Sequence, residues 1–104
     1  MPALNVRFHP LAAAEMAEAS VWLDGQSFGM GADFLYELRT ATDRLADHPA
    51  LGQLLLLPRV PAGMRRLVLH RFRYILVYRV VGADLWVEAV AHTSREPAYW
   101  LDRV

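Results

Sequence analysis

The order of patterns along the 104 residues predicts an α+β fold. It would comprise an N-terminal strand, an antiparallel two-helix hairpin packed on a small, mostly antiparallel sheet, and a short C-terminal tail or helical turn. Three observations predict it. An alternating stretch opens the chain at 3–8. Two long segments with helical periodicity follow, joined by a short link. The second half alternates again, in runs separated by turn-sized gaps.

In "ALNVRF" (3–8), Leu4, Val6 and Phe8 alternate with Asn5 and Arg7, the pattern of a half-buried strand. His9-Pro10 ends it. Pro10 suits the first position of a helix, where its missing amide hydrogen would have no partner anyway. From there to about Gly25, Ala12, Met16, Ala19 and Leu23 recur at helical spacing, with Trp22 beside them. Glu15, Glu18 and Asp24 are expected to face away, and Gly25 fits a left-handed cap. "QSFGMG" (26–31) is a turn. A second helix is expected from about Gly29 to Asp47. Gly31, Phe34, Leu35, Leu38, Thr42 and Leu45 form its apolar stripe, and Asp33, Glu37, Arg39, Asp43, Arg44 and Asp47 its wet face. His48-Pro49 stops it.

"ALGQLLLLPRVPAG" (50–63) places four leucines, Leu54, Leu55, Leu56 and Leu57, between a helix stop and two prolines. It reads as a loop or short helix folded on the core, or as a surface that a partner covers. Strands then follow at 64–70, 71–80 and 85–92, with a tight turn near His70-Arg71 and a second turn at 81–84. In the middle strand Phe72, Tyr74, Leu76, Tyr78 and Val80 share one face. Arg71, Arg73, Ile75, Val77 and Arg79 share the other. One sheet face is therefore apolar and suited to the helices, and the second is partly basic. Pro97 turns the tail, and "AYWLDRV" can close in a last helical turn.

The totals narrow the function classes. The length suits one domain, 1–104. There is no cysteine, which excludes disulfides, thiolate catalysis and Cys-based zinc sites. No apolar run is long enough to span a bilayer, and "MPALNVRFHP" lacks a leader pattern; a cytoplasmic protein is expected. Net charge is zero, but residues 1–47 carry three Arg and seven Asp/Glu, whereas residues 48–104 carry eight Arg and four Asp/Glu. Every basic residue is Arg, a planar fork for carboxylate or phosphate that cannot serve as a base near neutral pH. The hydrophobic fraction, 55%, exceeds what a chain this short can hide, so a partner should cover part of it.

The four histidines, His9, His48, His70 and His92, fall in different elements without ligand spacing, so neither metal nor cofactor is expected. There is no phosphate-cradling glycine loop, and Ser20, Ser27 and Ser94 lack a nucleophile context. What remains is the set Arg65, Arg66, Arg71, Arg73 and Arg79 on adjacent strands, with His92, Arg95 and Tyr99 leaving the last one. Converging on one concave face, these would suit RNA cleavage through the 2′-OH: Arg holding phosphate, His92 moving a proton, Tyr99 stacking or donating. Alternatively, the arginine stems merely cover the sheet.

The ordered set "VRFHPLAAAEMAEASVWL", "FLYELRTATDRLADHP" and "GMRRLVLHRFRYILVYRVVGADLWVEAVAHTSREPAYW" resembles the RelE/ParE superfamily of toxins from bacterial type II toxin–antitoxin modules, over nearly the whole chain. The resemblance implies the same α+β fold and a cognate antitoxin partner, for which Leu54–Leu57 are the candidate surface. RelE-like members cut mRNA on the ribosome; ParE-like members poison DNA gyrase. Residue by residue, Arg66 (or Arg65) fits the sheet arginine of the nucleases, Arg95 the late arginine and Tyr99 the terminal tyrosine. His92 completes a nuclease set of Arg66, His92, Arg95 and Tyr99. The helix lysines of RelE have no counterpart, with only Arg44 and His48 nearby, and zero net charge suits rRNA docking poorly. The ending "REPAYW" is more ParE-like. The implied reading is a gyrase-directed toxin whose target surface includes Arg65, Arg66, Arg73, Arg95, Tyr99 and Trp100. A ribosome-dependent mRNA endonuclease and a non-toxic binding module are the alternatives.

Overall fold

The computed structural model describes residues 3–104, so the first two residues of the expected single domain lie outside the described region. The element order is β1 (Asn5–Phe8), α1 (Pro10–Gln26), α2 (Met30–Asp47), a 3₁₀ turn (Pro49–Leu51), β2 (Gln53–Leu54), β3 (Arg65–Leu69), β4 (Tyr74–Val81), β5 (Asp84–His92) and a final 3₁₀ turn (Leu101–Arg103). The five strands lie in the order β1-β5-β4-β3-β2. Among the described residues only the β1–β5 pairing is parallel; the others are antiparallel. This is the α+β architecture that the sequence predicts.

His9 opens α1, its Nδ1 accepting the Leu11 amide at 3.1 Å, with Pro10 in the first helical position. The helix does not stop at Gly25. It runs on to Gln26 and is capped by Ser27 in an extended conformation. The left-handed residue of the link is Gly29, with φ 86°, and it opens α2 instead. Asp24 Oδ1 accepts the Gly31 amide at 2.7 Å and so ties the helices together. A Cβ on Gly31 would lie 2.2 Å from the Ser20 carbonyl, so the helices approach closely only because residue 31 has no side chain.

The turn between β3 and β4 is wider than expected. Residues 70–73 connect the strands, Arg73 takes a left-handed φ of 59°, and its amide bonds back to the Leu69 carbonyl at 2.9 Å. Arg71 and Arg73 therefore belong to the turn, not to β4. The segment after α2 is neither plain loop nor α-helix. Its 3₁₀ turn leads into β2, which pairs Gln53 with Arg66 and Leu54 with Arg65 at the sheet edge. Tyr78 anchors it: the hydroxyl donates to Pro49 O at 2.6 Å and accepts from Gly52 N at 2.9 Å.

Two cores lie on opposite faces of the sheet. On the helix face, Phe34, Leu38 and Leu45 of α2 meet Leu76, Tyr78, Leu85 and Val87, all buried. Each such side chain contributes about 1.5–3 kcal/mol by leaving water. The opposite face is not the basic surface expected from alternation. Met64, Val77, Ala89 and Trp100 form a second buried cluster, closed by Leu55, Val60, Ile75 and Leu101. The C-terminal tail and the leucine segment thus fold back over the sheet, because burying this apolar strip outweighs leaving it wet.

A β-bulge breaks the period of β5. Pairing passes from Val77↔Ala89 to Tyr78↔Val87, which leaves Glu88 as the extra residue. Leu85 and Val87 before it, and Val90 after it, all join the helix-face core.

Candidate functional site

β1 ends at Phe8, where the His9 amide makes the last bond to the Val87 carbonyl, 2.9 Å. Beyond that level β5 has a free edge. Its backbone groups are met by side chains brought from both ends of the chain. Glu15 of α1 accepts the Val90 amide at 3.1 Å, and Arg103 donates to the Glu88 carbonyl at 3.0 Å. The two side chains also pair with each other through both guanidinium nitrogens, at 2.8 and 3.0 Å. Tyr99 completes the set by donating its hydroxyl to Glu15 Oε2 at 2.5 Å. Glu15 is therefore not a solvated helix residue, contrary to the period-based expectation. It is the acceptor at the centre of a network that fastens the tail.

The titration behaviour follows from this geometry. Burial alone would raise the pKa of Glu15, but hydrogen bonds from Arg103, Tyr99 and the Val90 amide, with the Arg103 charge, outweigh it and lower it. The Tyr99 phenol is pushed well above its ordinary value, by burial and then by its bond to the Glu15 carboxylate. Tyr99 consequently keeps its proton and cannot act as a base near neutral pH. Arg103 is held charged by the hydrogen bond to Glu15. Glu88, in the bulge, is buried, and burial raises its pKa despite the charges of Arg79, His9 and Arg103. Its Oε2 stands 3.6 Å from Arg79 Nε, and neither atom has a hydrogen-bond partner among the described residues.

Next to this network a cleft of about 80 Å³ opens on the tail side of the sheet. Arg66, His92, Arg95 and Tyr99 all line it, so the structure does bring the four candidate nuclease residues together. Its apolar wall comes from Leu55, Ile75, Val77 and Trp100. The Arg95 guanidinium lies over the Tyr99 ring, 3.9 Å from its centre. His92 Nδ1 accepts the Ser94 amide at 3.1 Å, and its ring packs edge-on against Tyr74. Arg66 Nε donates to Gln53 Oε1 at 3.2 Å. The volume is far below the roughly 300–1,000 Å³ of small-molecule sites and suits a single protruding side chain.

Other expected site residues lie elsewhere or serve the fold. Arg65 donates to the Ala50 and Gly52 carbonyls at 3.3 and 2.7 Å, holding the start of β2. Arg73 sits in the β3–β4 turn and does not line the cleft. Trp100 is 4% exposed and belongs to the second core, although it also lines the cleft. Of the four leucines, Leu55 packs inward and Leu57 joins the cleft wall, whereas Leu54 and Leu56 point outward. Sequence reasoning missed Glu15, Glu88 and Arg103. No local signal marks them, since Glu15 and Arg103 lie 88 positions apart.

The model of the ParE toxin of the type II toxin–antitoxin system parDE matches residues 6–97. The chain belongs to the ParE toxin family. The match begins within β1 and ends at Pro97, before Tyr99 and Arg103 of the tail network. Among solved structures it is similar to a chromosomal ParDE toxin–antitoxin system from P. aeruginosa, with a TM-score of 0.64. That likeness covers 88% of this chain and 98% of the other at 14% identity, and so speaks to the fold. Comparison with curated proteins gives no match. Among the described residues, no helix is long and apolar enough to cross a membrane.

Proposed function

We propose that this ParE-family chain is a growth-inhibiting toxin that binds and poisons DNA gyrase in the cytoplasm and is silenced by a cognate antitoxin. The observation that carries the reading is the state of Tyr99. Its hydroxyl is bound to Glu15, its pKa is raised, and it stands beside a cleft too small for a nucleotide. That supports a cleft that grips a protein side chain rather than one that cuts RNA. Arg66, Arg95, Tyr99 and Trp100 line it, and Arg65 and Arg73 do not. A carboxylate of the target beside Arg66 and Arg95, with an apolar residue in the cleft, fits this chemistry. Leu54, Leu56 and Leu57 stay 43%, 87% and 44% exposed on the sheet edge and suit an antitoxin segment that covers them.

Purified protein should inhibit gyrase supercoiling or accumulate cleaved DNA, and added antitoxin should reverse the effect. Intact supercoiling at large molar excess would overturn the gyrase reading. The nuclease alternative keeps one support, the convergence of Arg66, His92, Arg95 and Tyr99. Primer extension on translated mRNA distinguishes it: induced cuts that vanish with His92→Ala would establish it in place of gyrase poisoning.

A further inference from the structure

Among the described residues, four arginines are paired with a carboxylate: Arg7 with Asp84, Arg71 with Asp33, Arg79 with Glu88 and Arg103 with Glu15. The two that line the tail-side cleft are held differently. Arg66 is tied to the side-chain oxygen of Gln53, and Arg95 lies over the Tyr99 ring. Both tethers are neutral, so both charges stay uncompensated. Glu96 is the one carboxylate on the cleft lining, and among the described residues it pairs with neither.

The Tyr99 ring is the only hold on the Arg95 guanidinium among the described residues, where it makes no ion pair. A guanidinium 3.9 Å from a ring centre stacks on the face, which leaves its N–H fork free for a planar oxyanion. Where that fork points therefore depends on how the ring lies.

The ring is fixed from outside the cleft. Ala98, just before it, takes a left-handed φ of 59°, which a residue with a Cβ keeps only where its surroundings hold it. The Tyr99 hydroxyl donates to Glu15 Oε2, and the Arg103 guanidinium stands 5.1 Å from the same ring centre. Glu15 and Arg103 are locked to each other, and neither lines the cleft. Their ion pair and the buried Trp100 suffice to fasten the tail. The hydroxyl bond adds something else: it takes from the ring the freedom to swing away from α1, and Arg95 rides on that ring. Order set before binding is not lost again on binding.

We propose that Glu15 and Arg103 are positioning residues of the target site. By fixing the Tyr99 ring, they hold Arg95 in the orientation in which it and Arg66 receive one carboxylate of the target protein. This rests on the reading that the cleft grips a side chain of gyrase, and it gives the tail network a part in that grip.

The test frees the ring in two ways. Tyr99→Phe keeps the ring and removes its bond to Glu15. Glu15→Leu with Arg103→Met removes the carboxylate and the second cation together, so that neither charge is left alone in the interior. In the wild type the Arg95 side-chain protons should show the upfield NMR shift of groups stacked on a ring face, and in both variants that shift should shrink. Each variant should need about tenfold more protein for half inhibition of gyrase supercoiling, the worth of one well-aimed charge-assisted hydrogen bond. Arg95→Ala should weaken inhibition by a similar factor, and combining it with either variant should add little more, because both act through Arg95. A network that only holds the tail predicts losses that add. An unchanged Arg95 shift in both variants, inhibition at wild-type concentrations, or losses that add to that of Arg95→Ala overturns the inference and leaves the gyrase reading standing. Wild-type protein that leaves supercoiling intact at large molar excess overturns both.

Discussion

Glu15→Ala is the most telling single substitution, because Glu15 holds the tail to the body of the protein. The Glu15 and Arg103 side chains are 14% and 9% exposed, and four hydrogen bonds converge on the carboxylate. Truncation leaves a buried guanidinium without its anion and strips the acceptor from the Tyr99 hydroxyl and the Val90 amide. Removing one partner of such a pair costs about 3–5 kcal/mol, against about 5–15 kcal/mol for a whole domain. At about 4 °C or more per kcal/mol, the melting temperature should fall by at least about 12 °C. The double replacement Glu15→Leu with Arg103→Met removes both charges together and should recover most of the loss, since an apolar pair carries no desolvation penalty. Urea and thermal unfolding of the wild type, both single variants and the double variant give the comparison. A Glu15→Ala loss below about 1 kcal/mol, or a Glu15–Arg103 coupling below about 0.5 kcal/mol, would refute the assignment of the network as the tail's fastening. The pH dependence supplies a second check. The folded pKa of Glu15 is lowered, so its contribution is complete above the ordinary carboxylate range and disappears as pH falls through the folded value. Wild type should lose more stability on acidification than Glu15→Ala does.

Further outcomes follow from individual contacts. Arg95→Ala removes an exposed cation from the Tyr99 ring, so stability should drop by only about 0.5–1 kcal/mol while growth inhibition in an induced culture is lost; retained toxicity would take Arg95 out of the target surface. Glu88→Gln should leave stability at neutral pH equal to or above wild type by urea unfolding, because burial outweighs the attraction of Arg79. The sign is opposite to that of Glu15: a raised folded pKa means that Glu88 costs stability as pH rises through it, and the variant should lack that slope. Gly52→Ala places a Cβ 2.3 Å from the Tyr78 hydroxyl and 2.8 Å from the Arg66 carbonyl. It should cost about 1–3 kcal/mol in thermal unfolding and loosen the leucine segment toward proteolysis.

The sequence by itself determined both helices and the strands β1, β3, β4 and β5 in their order, but not β2, whose segment reads as a loop or short helix. Apolar spacing placed both helices, because a helix must bury one face. Alternation placed β1, β4 and β5, because a strand between two environments repeats every two residues. The composition also pointed to a chain that needs a partner, and twelve large apolar side chains among the described residues do remain exposed. Where periodicity misled, a contact distant in sequence had taken over. Glu15 reads as solvated on the helix, but β1 stops short and leaves the β5 edge to be satisfied, so a helix carboxylate turns inward to meet it. The alternate face of β4 reads as half basic, but Arg71 and Arg73 fall in the turn, and Trp100 and Met64 cover Ile75 and Val77. Arg66, His92, Arg95 and Tyr99 were each visible as chemistry-bearing residues. Only the tertiary structure decided that they share one small cleft and that Tyr99 gives its hydroxyl to Glu15. The physical reason is that local periodicity reports which face a residue prefers, whereas hydrogen bonds across 84 positions report which partner it finds.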